Sequence, residues 1–157
     1  MNILLVSNND MCRSRMAQKI LSSFGHGIKI FTSGVLPGRV IPSSVVGVME
    51  QNGYDCSRKK ASDVDIYCHQ AWDYVITLCE EAKEEEGDFN KEVKNWKHFS
   101  FDDPFQHVYG DETELEYRIS ELYETMYCEL YEFYRDELSE QLLPRCTCGA
   151  NTYCRCE

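Results

Sequence analysis

The sequence lacks long apolar runs. No segment approaches the roughly 20 apolar residues that a membrane-spanning helix needs, and the first residues are apolar over about one strand only. This absence predicts neither a signal peptide nor a membrane anchor. We therefore expect a cytoplasmic protein.

Basic residues are also scarce. The 157 residues include 16 Lys and Arg but 27 Asp and Glu, which gives a formal net charge of −11 at pH 7. Such a surface repels nucleic acid and anionic lipid, so we expect neither as a partner. Much of the acidic excess lies in residues 80–88 and 111–140, which are interpreted as solvated helix faces, with an acidic docking surface as the alternative.

The cysteines are unevenly placed. Four of the nine lie in the last dozen residues, and the other five are scattered along the chain. A secreted disulfide scaffold would be shorter and would spread its cysteines. We predict one domain over residues 1–143, long enough to bury a core, followed by a Cys-rich tail over residues 144–157.

Apolar patterning predicts alternating strands and helices. Strands are expected at residues 2–6, 28–31 and 72–78, with a weak fourth at 98–101, and a turn at residues 32–34. Helices are expected at residues 13–24, 43–51, 63–69 and 112 to about 140. This alternation is typical of a parallel α/β sheet, in which ligands bind at the carboxyl ends of strands.

The segment that follows the first strand carries the strongest chemical signal. It is a polar turn that leads into a helix, a place where backbone N–H groups and the helix dipole favour a bound anion, while Arg13 can hold two oxygens of a tetrahedral anion. The pattern predicts a phosphate cradle. Its residues are Ser7, Asn8, Asn9, Asp10, Met11, Cys12, Arg13 and Ser14.

This loop resembles that of the low-molecular-weight protein tyrosine phosphatases and the thioredoxin-coupled arsenate reductases, in which Cys, five residues and Arg-Ser or Arg-Thr follow the first strand. Residues 32–34 (Thr-Ser-Gly), 73–79 and 101–104 (Phe-Asp-Asp-Pro) match further segments of these families in the same order. The resemblance covers most of residues 1 to about 140. It implies an open four-stranded parallel sheet flanked by helices.

The resemblance also implies catalytic positions. The family's nucleophilic Cys falls on Ser7, the Arg that stabilises the phosphoryl oxygens on Arg13, and the acid that protonates the leaving phenolate on Asp103. The alternative interpretation of Asp103 is a simple turn before Pro104. A thiol in such a cradle ionises readily, whereas an alkyl hydroxyl stays protonated unless a base is supplied, so Ser7 is expected to be a poor nucleophile.

Ser7 is compatible with natural loss of the nucleophile or with an engineered substrate trap. The neighbouring residues Asn8, Asn9 and Asp10 also depart from the family pattern, which favours natural divergence. Asp10 would place a carboxylate near a bound anion. Cys12 is expected to point away from that anion.

Arsenate reductases of this fold use three cysteines in a relay. Cys79 matches the second, while Ser7 and Glu86 lie where the first and third would be. One cysteine of three cannot complete the relay. Cys79 is therefore expected to be a small apolar residue at the end of a strand.

The tail contains two Cys-x-Cys pairs. Four thiolates match the count of a structural zinc site, and Cu(I) is also compatible, while two disulfides or a reduced tail are the alternatives. The phosphatase-like site itself is expected to need no cofactor. The expected metal ligands are Cys146, Cys148, Cys154 and Cys156.

These features favour a phosphatase-like protein that binds phosphate or a phosphotyrosine-containing protein, with hydrolysis lost or severely reduced. A non-catalytic interaction protein that uses the acidic helix and the Cys-rich tail is the alternative. An arsenate reductase relative is a weaker alternative.

Overall fold

A four-stranded parallel sheet forms the centre of the protein. The computed structural model describes residues 1–56, 60–89, 92–106 and 111–142. The strands lie in the order β2-β1-β3-β4, and every neighbouring pair is parallel, which confirms the predicted fold class. They are β1 (Asn2–Ser7), β2 (Lys29–Gly34), β3 (Trp72–Thr77) and β4 (Val93–His98).

Helices follow the strands along the chain. Two short 3₁₀ helices, Val64–Ile66 and Glu85–Asp88, and a π-helical turn, Tyr134–Leu138, complete the described elements. The α-helices are α1 (Arg13–Phe24), α2 (Ser43–Gln51), α3 (Glu80–Glu84), α4 (Glu112–Phe133) and α5 (Ser139–Leu142). No helix of the described residues is long and apolar enough to cross a membrane.

The central strand β1 is buried on both faces, as expected of a parallel strand covered by helices on each side. Its alternate side chains enter two different clusters. Ile3 and Leu5 pack with residues of α1, α2 and α4. Leu4 and Val6 pack on the other face with Val64 and with residues of β3 and α3.

Several predicted bounds need correction. The fourth strand is Val93–His98, not residues 98–101, because the apolar side chain of Phe101 belongs to the loop after β4, where it is buried. Residues 63–69 contain only the 3₁₀ helix Val64–Ile66. Residues 32–34 continue β2 rather than form a turn. The long C-terminal helix continues from α4 through the π-helical turn into α5.

Candidate phosphate-binding site

The loop between β1 and α1 lies at the carboxyl edge of the sheet. The carbonyl oxygens of residues 7, 8 and 9 accept hydrogen bonds from the N–H groups of Val35, Leu36 and Gly38, at 3.1, 2.8 and 2.9 Å. The segment 35–38 thus extends the pairing of β1 with β2 beyond both strands. Its contacts fix the carbonyl side of the loop.

The backbone N–H groups of the same loop are not all bound by neighbouring segments as its carbonyl groups are. Within the described residues the backbone N–H groups of Asn8, Asn9 and Cys12 have no hydrogen-bond acceptor. Unpaired N–H groups in a turn before a helix are suited to an anion. The predicted phosphate cradle would use these N–H groups.

Gly34 allows the loop to approach the sheet. A Cβ atom at this position would lie 2.8 Å from the backbone carbon of Asn9 and 2.8 Å from the backbone nitrogen of Asp10. These are backbone atoms of the loop, which cannot move away as the end of a flexible side chain could. A residue without a side chain is therefore required beside the loop.

Ser7 lies at the base of the loop, with 1 % of its surface exposed. Its Oγ donates to Ser14 Oγ at 3.0 Å. The backbone N–H of Asp10 donates to Ser7 Oγ at 3.1 Å. The hydroxyl therefore has a defined orientation inside the loop.

The Asp10 carboxylate, which the sequence predicts to lie near a bound anion, is paired with groups of the protein. Asp10 is fully buried, and Arg15 Nη2 donates to its Oδ2 at 2.7 Å. The N–H of Ser62 donates to the same oxygen at 2.9 Å, and Ser14 Oγ donates to Oδ1 at 2.7 Å. Asp10 adopts φ 54°, a left-handed conformation that Asp tolerates better than most residues.

Arg15 was not singled out from the sequence. It is 4 % exposed, its Nε donates to the Asp10 carbonyl at 3.1 Å, and its Nη2 also donates to the Lys60 carbonyl. The sequence does contain a signal for Arg15, because a charged residue between Ser14 and Met16, on the side of α1 that is buried, needs a partner of opposite charge. The arginine neutralises Asp10 and fixes the turn of the loop.

Arg13 connects the loop to the segment that carries Asp103. Its guanidinium donates through Nη1 to the Phe101 carbonyl at 2.9 Å and through Nη2 to Asp103 Oδ2 at 3.4 Å. The other Asp103 oxygen accepts the N–H of Phe105 at 2.9 Å. The structure therefore brings Asp103 to the same edge as the loop, although the two residues are 90 positions apart in sequence.

Neither nearby thiol is activated. Burial is the main cause that raises the pKa of Cys12 to about 12, against the opposing effect of Arg13. The Cys12 Sγ lies 3.9 Å from Met16 Sδ, in the core rather than in the loop. Burial also raises the pKa of Cys79, which is 2 % exposed. Both are small apolar groups here.

A model of the low molecular weight phosphotyrosine protein phosphatase family matches residues 2–137. The chain belongs to this family. The match includes β1, the loop, Asp103 and nearly all of the helical C-terminal part. It ends before the Cys-rich tail.

Three known proteins are similar to this chain, one in sequence and two in fold. The glutaredoxin arsenate reductase of Synechocystis sp. is 30% identical over 78 residues, 49% of this chain and 59% of that protein, so the chain spans about three fifths of that relative's length. The phosphatase SP-PTP from Streptococcus pyogenes is 15% identical and superposes with a TM-score of 0.72, over 89% of this chain and 95% of that one. A variant of the arginine phosphatase YwlE with a phosphorylated active-site serine is 18% identical, with a TM-score of 0.64 over 87% and 98%.

A cavity of about 490 Å³ lies beside Asp103 in this family member. Residues 100–104 form one wall, and the exposed turns of α4 form the other through Arg118, Glu121 and Glu129. The loop of Ser7 does not line it. Asp103 therefore stands between the Arg13 guanidinium and this open space.

His98, at the end of β4, contacts two neighbouring elements. Its Nδ1 lies 2.8 Å from Thr77 Oγ1 and its Nε2 lies 3.0 Å from Glu80 Oε1. The bond to His98 is the main cause that lowers the pKa of Glu80. These contacts connect the carboxyl ends of β3 and β4 with α3.

The four cysteines of the tail, and the boundary at residue 143, lie outside the described residues. No group of three or more His, Cys, Asp or Glu that could hold a metal ion occurs in the described part of the chain. A zinc or Cu(I) site at Cys146, Cys148, Cys154 and Cys156 stays a prediction.

Proposed function

We propose that this chain binds phosphate, or a phosphotyrosine-containing protein, in the loop from Ser7 to Arg13. One observation carries the proposal: the loop carbonyls are bound by residues 35–38, while the amides of Asn8, Asn9 and Cys12 have no acceptor in the part of the chain that the structure describes. Family membership adds phosphorylated substrates as the expected class.

Arg13 would bind the oxygens of the phosphoryl group. Two of its five N–H donors contact Phe101 and Asp103, which leaves donors for an anion. Asp103 would protonate the leaving oxygen, a role supported by its contact with Arg13 and by the open cavity beside it.

Serine at position 7 would reduce hydrolysis or abolish it. A thiolate leaves phosphorus far more readily than an alkoxide, so a phosphoryl group on serine is hydrolysed slowly where one on cysteine turns over. The YwlE variant carries a phosphorylated active-site serine, which supports a serine at this place in the fold as a phosphoryl-binding group. Arsenate reduction has less support, because the Cys79 thiol is buried and its pKa is raised.

The test replaces Ser7 by Cys. The cradle should ionise the new thiol, so Ser7→Cys should hydrolyse aryl phosphates steadily where the unsubstituted chain does not. Asp103→Asn in that background should lower the rate with phenyl phosphate by about 10²–10⁴-fold, and less with 4-nitrophenyl phosphate, because a good leaving group needs less protonation.

Ser22→Cys, on the exposed side of α1, is the matched control and should add no activity. The proposal predicts inorganic phosphate binding in every one of these chains. If Ser7→Cys binds phosphate but stays inert, the altered loop sequence limits the chemistry, and a non-catalytic interaction protein becomes the better interpretation.

A further inference from the structure

Ser7, Ser14 and Asp10 form a continuous chain of hydrogen bonds with one direction. Ser7 Oγ donates to Ser14 Oγ at 3.0 Å, and Ser14 Oγ donates to Asp10 Oδ1 at 2.7 Å. A carboxylate only accepts hydrogen bonds, so it fixes the direction of both hydroxyl protons. All three residues are at most 1 % exposed.

The two oxygens of Asp10 have different surroundings. Oδ2 accepts from Arg15 at 2.7 Å and from the N–H of Ser62 at 2.9 Å. Oδ1 accepts from Ser14 alone among the described residues. The donors on Oδ2 hold the carboxylate in place, and Oδ1 is left to receive a proton through Ser14.

We propose that this chain of hydrogen bonds activates Ser7, so that Ser7 accepts a phosphoryl group from a bound phosphate monoester and becomes O-phosphoserine. The inference rests on the proposed function, because the monoester must first bind in the loop. It assigns Ser7 as a modification site, Ser14 as the proton carrier and Asp10 as the positioning residue that receives the proton. The base that a serine nucleophile requires is thereby supplied within the loop.

Ser7 Oγ forms a bond to phosphorus while the bond from phosphorus to the leaving oxygen breaks. The Ser7 proton passes to Ser14 Oγ, and the Ser14 proton passes to Asp10 Oδ1. The leaving oxygen takes a proton from Asp103, so an alcohol or phenol departs and no oxidant or reductant is needed.

The N–H of Asp10 has a second effect. It donates to Ser7 Oγ at 3.1 Å and so stabilises negative charge that develops on this oxygen as its proton leaves. The product should persist, because the Ser7 alkoxide is a much poorer leaving group than an aryl oxide. We therefore expect one phosphoryl group per chain and little turnover after it.

The experiment mixes the full chain with saturating 4-nitrophenyl phosphate and follows nitrophenolate release together with the intact mass. The expected result is a burst of one equivalent with the phosphoryl group on Ser7. Ser14→Ala should slow the burst by about 10²-fold or more, the ordinary size of a proton-transfer contribution. Ser14→Thr, which keeps a hydroxyl, should recover most of the rate, and Ser22→Ala on the exposed side of α1 should leave it unchanged.

The outcomes separate the inference from the proposed function. If inorganic phosphate raises the melting temperature of the unsubstituted chain but no phosphoserine forms, the activation of Ser7 is wrong and the binding function stands. Equal burst rates for Ser14→Ala and Ser14→Thr would also overturn the role of Ser14. If phosphate does not bind at all, both the proposed function and the inference fail.

Discussion

At the residue scale, the Asp10–Arg15 pair is the feature that most distinguishes this loop. Both side chains are buried, and they are paired with each other at 2.7 Å. The sequence identified Asp10 as a departure from the family pattern, but it did not reveal the partner. The sequence does not show in which direction the Asp10 side chain points when its backbone adopts φ 54°.

Because the two residues are paired, we expect Arg15→Ala to destabilise the protein strongly. This change leaves the Asp10 carboxylate buried with its charge uncompensated, so the free energy of unfolding should fall by about 3–5 kcal/mol. Lys94→Ala is the control, since the ion pair of Lys94 with Asp73 is solvent-exposed and should contribute at most about 1 kcal/mol. Urea unfolding measures both. If both variants lower the free energy of unfolding by the same small amount, another group compensates the charge of Asp10.

At the element scale, the sequence predicted the first half of the fold well. Strong apolar periodicity placed α1 and α2 at their observed bounds and β1 and β3 within one residue of them. It failed at β4, an edge strand that has no buried side chain, so that Lys94, Asn95 and Lys97 break the apolar signal. Residues 80–88 were expected as a solvated helix face, and α3 lies within them, but charge alone gave no bounds for this helix.

Gly34, at the end of β2, occupies a position where we expect no side chain to be tolerated. Gly34→Ala places a Cβ against loop backbone, and overpacking of this kind costs about 1–3 kcal/mol. Gly47→Ala in α2 is the matched control, because a Cβ there meets nothing within 4 Å and alanine favours a helix by roughly 1 kcal/mol.

Thermal unfolding of both variants checks this. Gly34→Ala should also weaken phosphate binding, because the loop must shift to make room. A Gly34→Ala chain as stable as the unsubstituted one would show that the segment 35–38 does not hold the loop.

At the scale of the whole molecule, the candidate site is assembled from distant segments. Arg13 contacts Phe101 and Asp103, and the carbonyl side of the loop is bound by residues 35–38. The family resemblance placed Arg13 and Asp103 in one site before any coordinates. The contacts of Arg15, Ser62 and residues 35–38 could not be predicted, because they depend on how loops cross the edge of the sheet.

The most direct test of the central claim is the melting temperature as a function of inorganic phosphate, with chloride at matched ionic strength as reference. A ligand at about 100 times its Kd adds about 2.7 kcal/mol, which for a domain of this size is a rise of roughly 5–10 °C. Arg13→Ala should lose this response and Lys94→Ala should keep it. A melting temperature that does not change with millimolar phosphate, in the unsubstituted chain as in Arg13→Ala, would contradict the account.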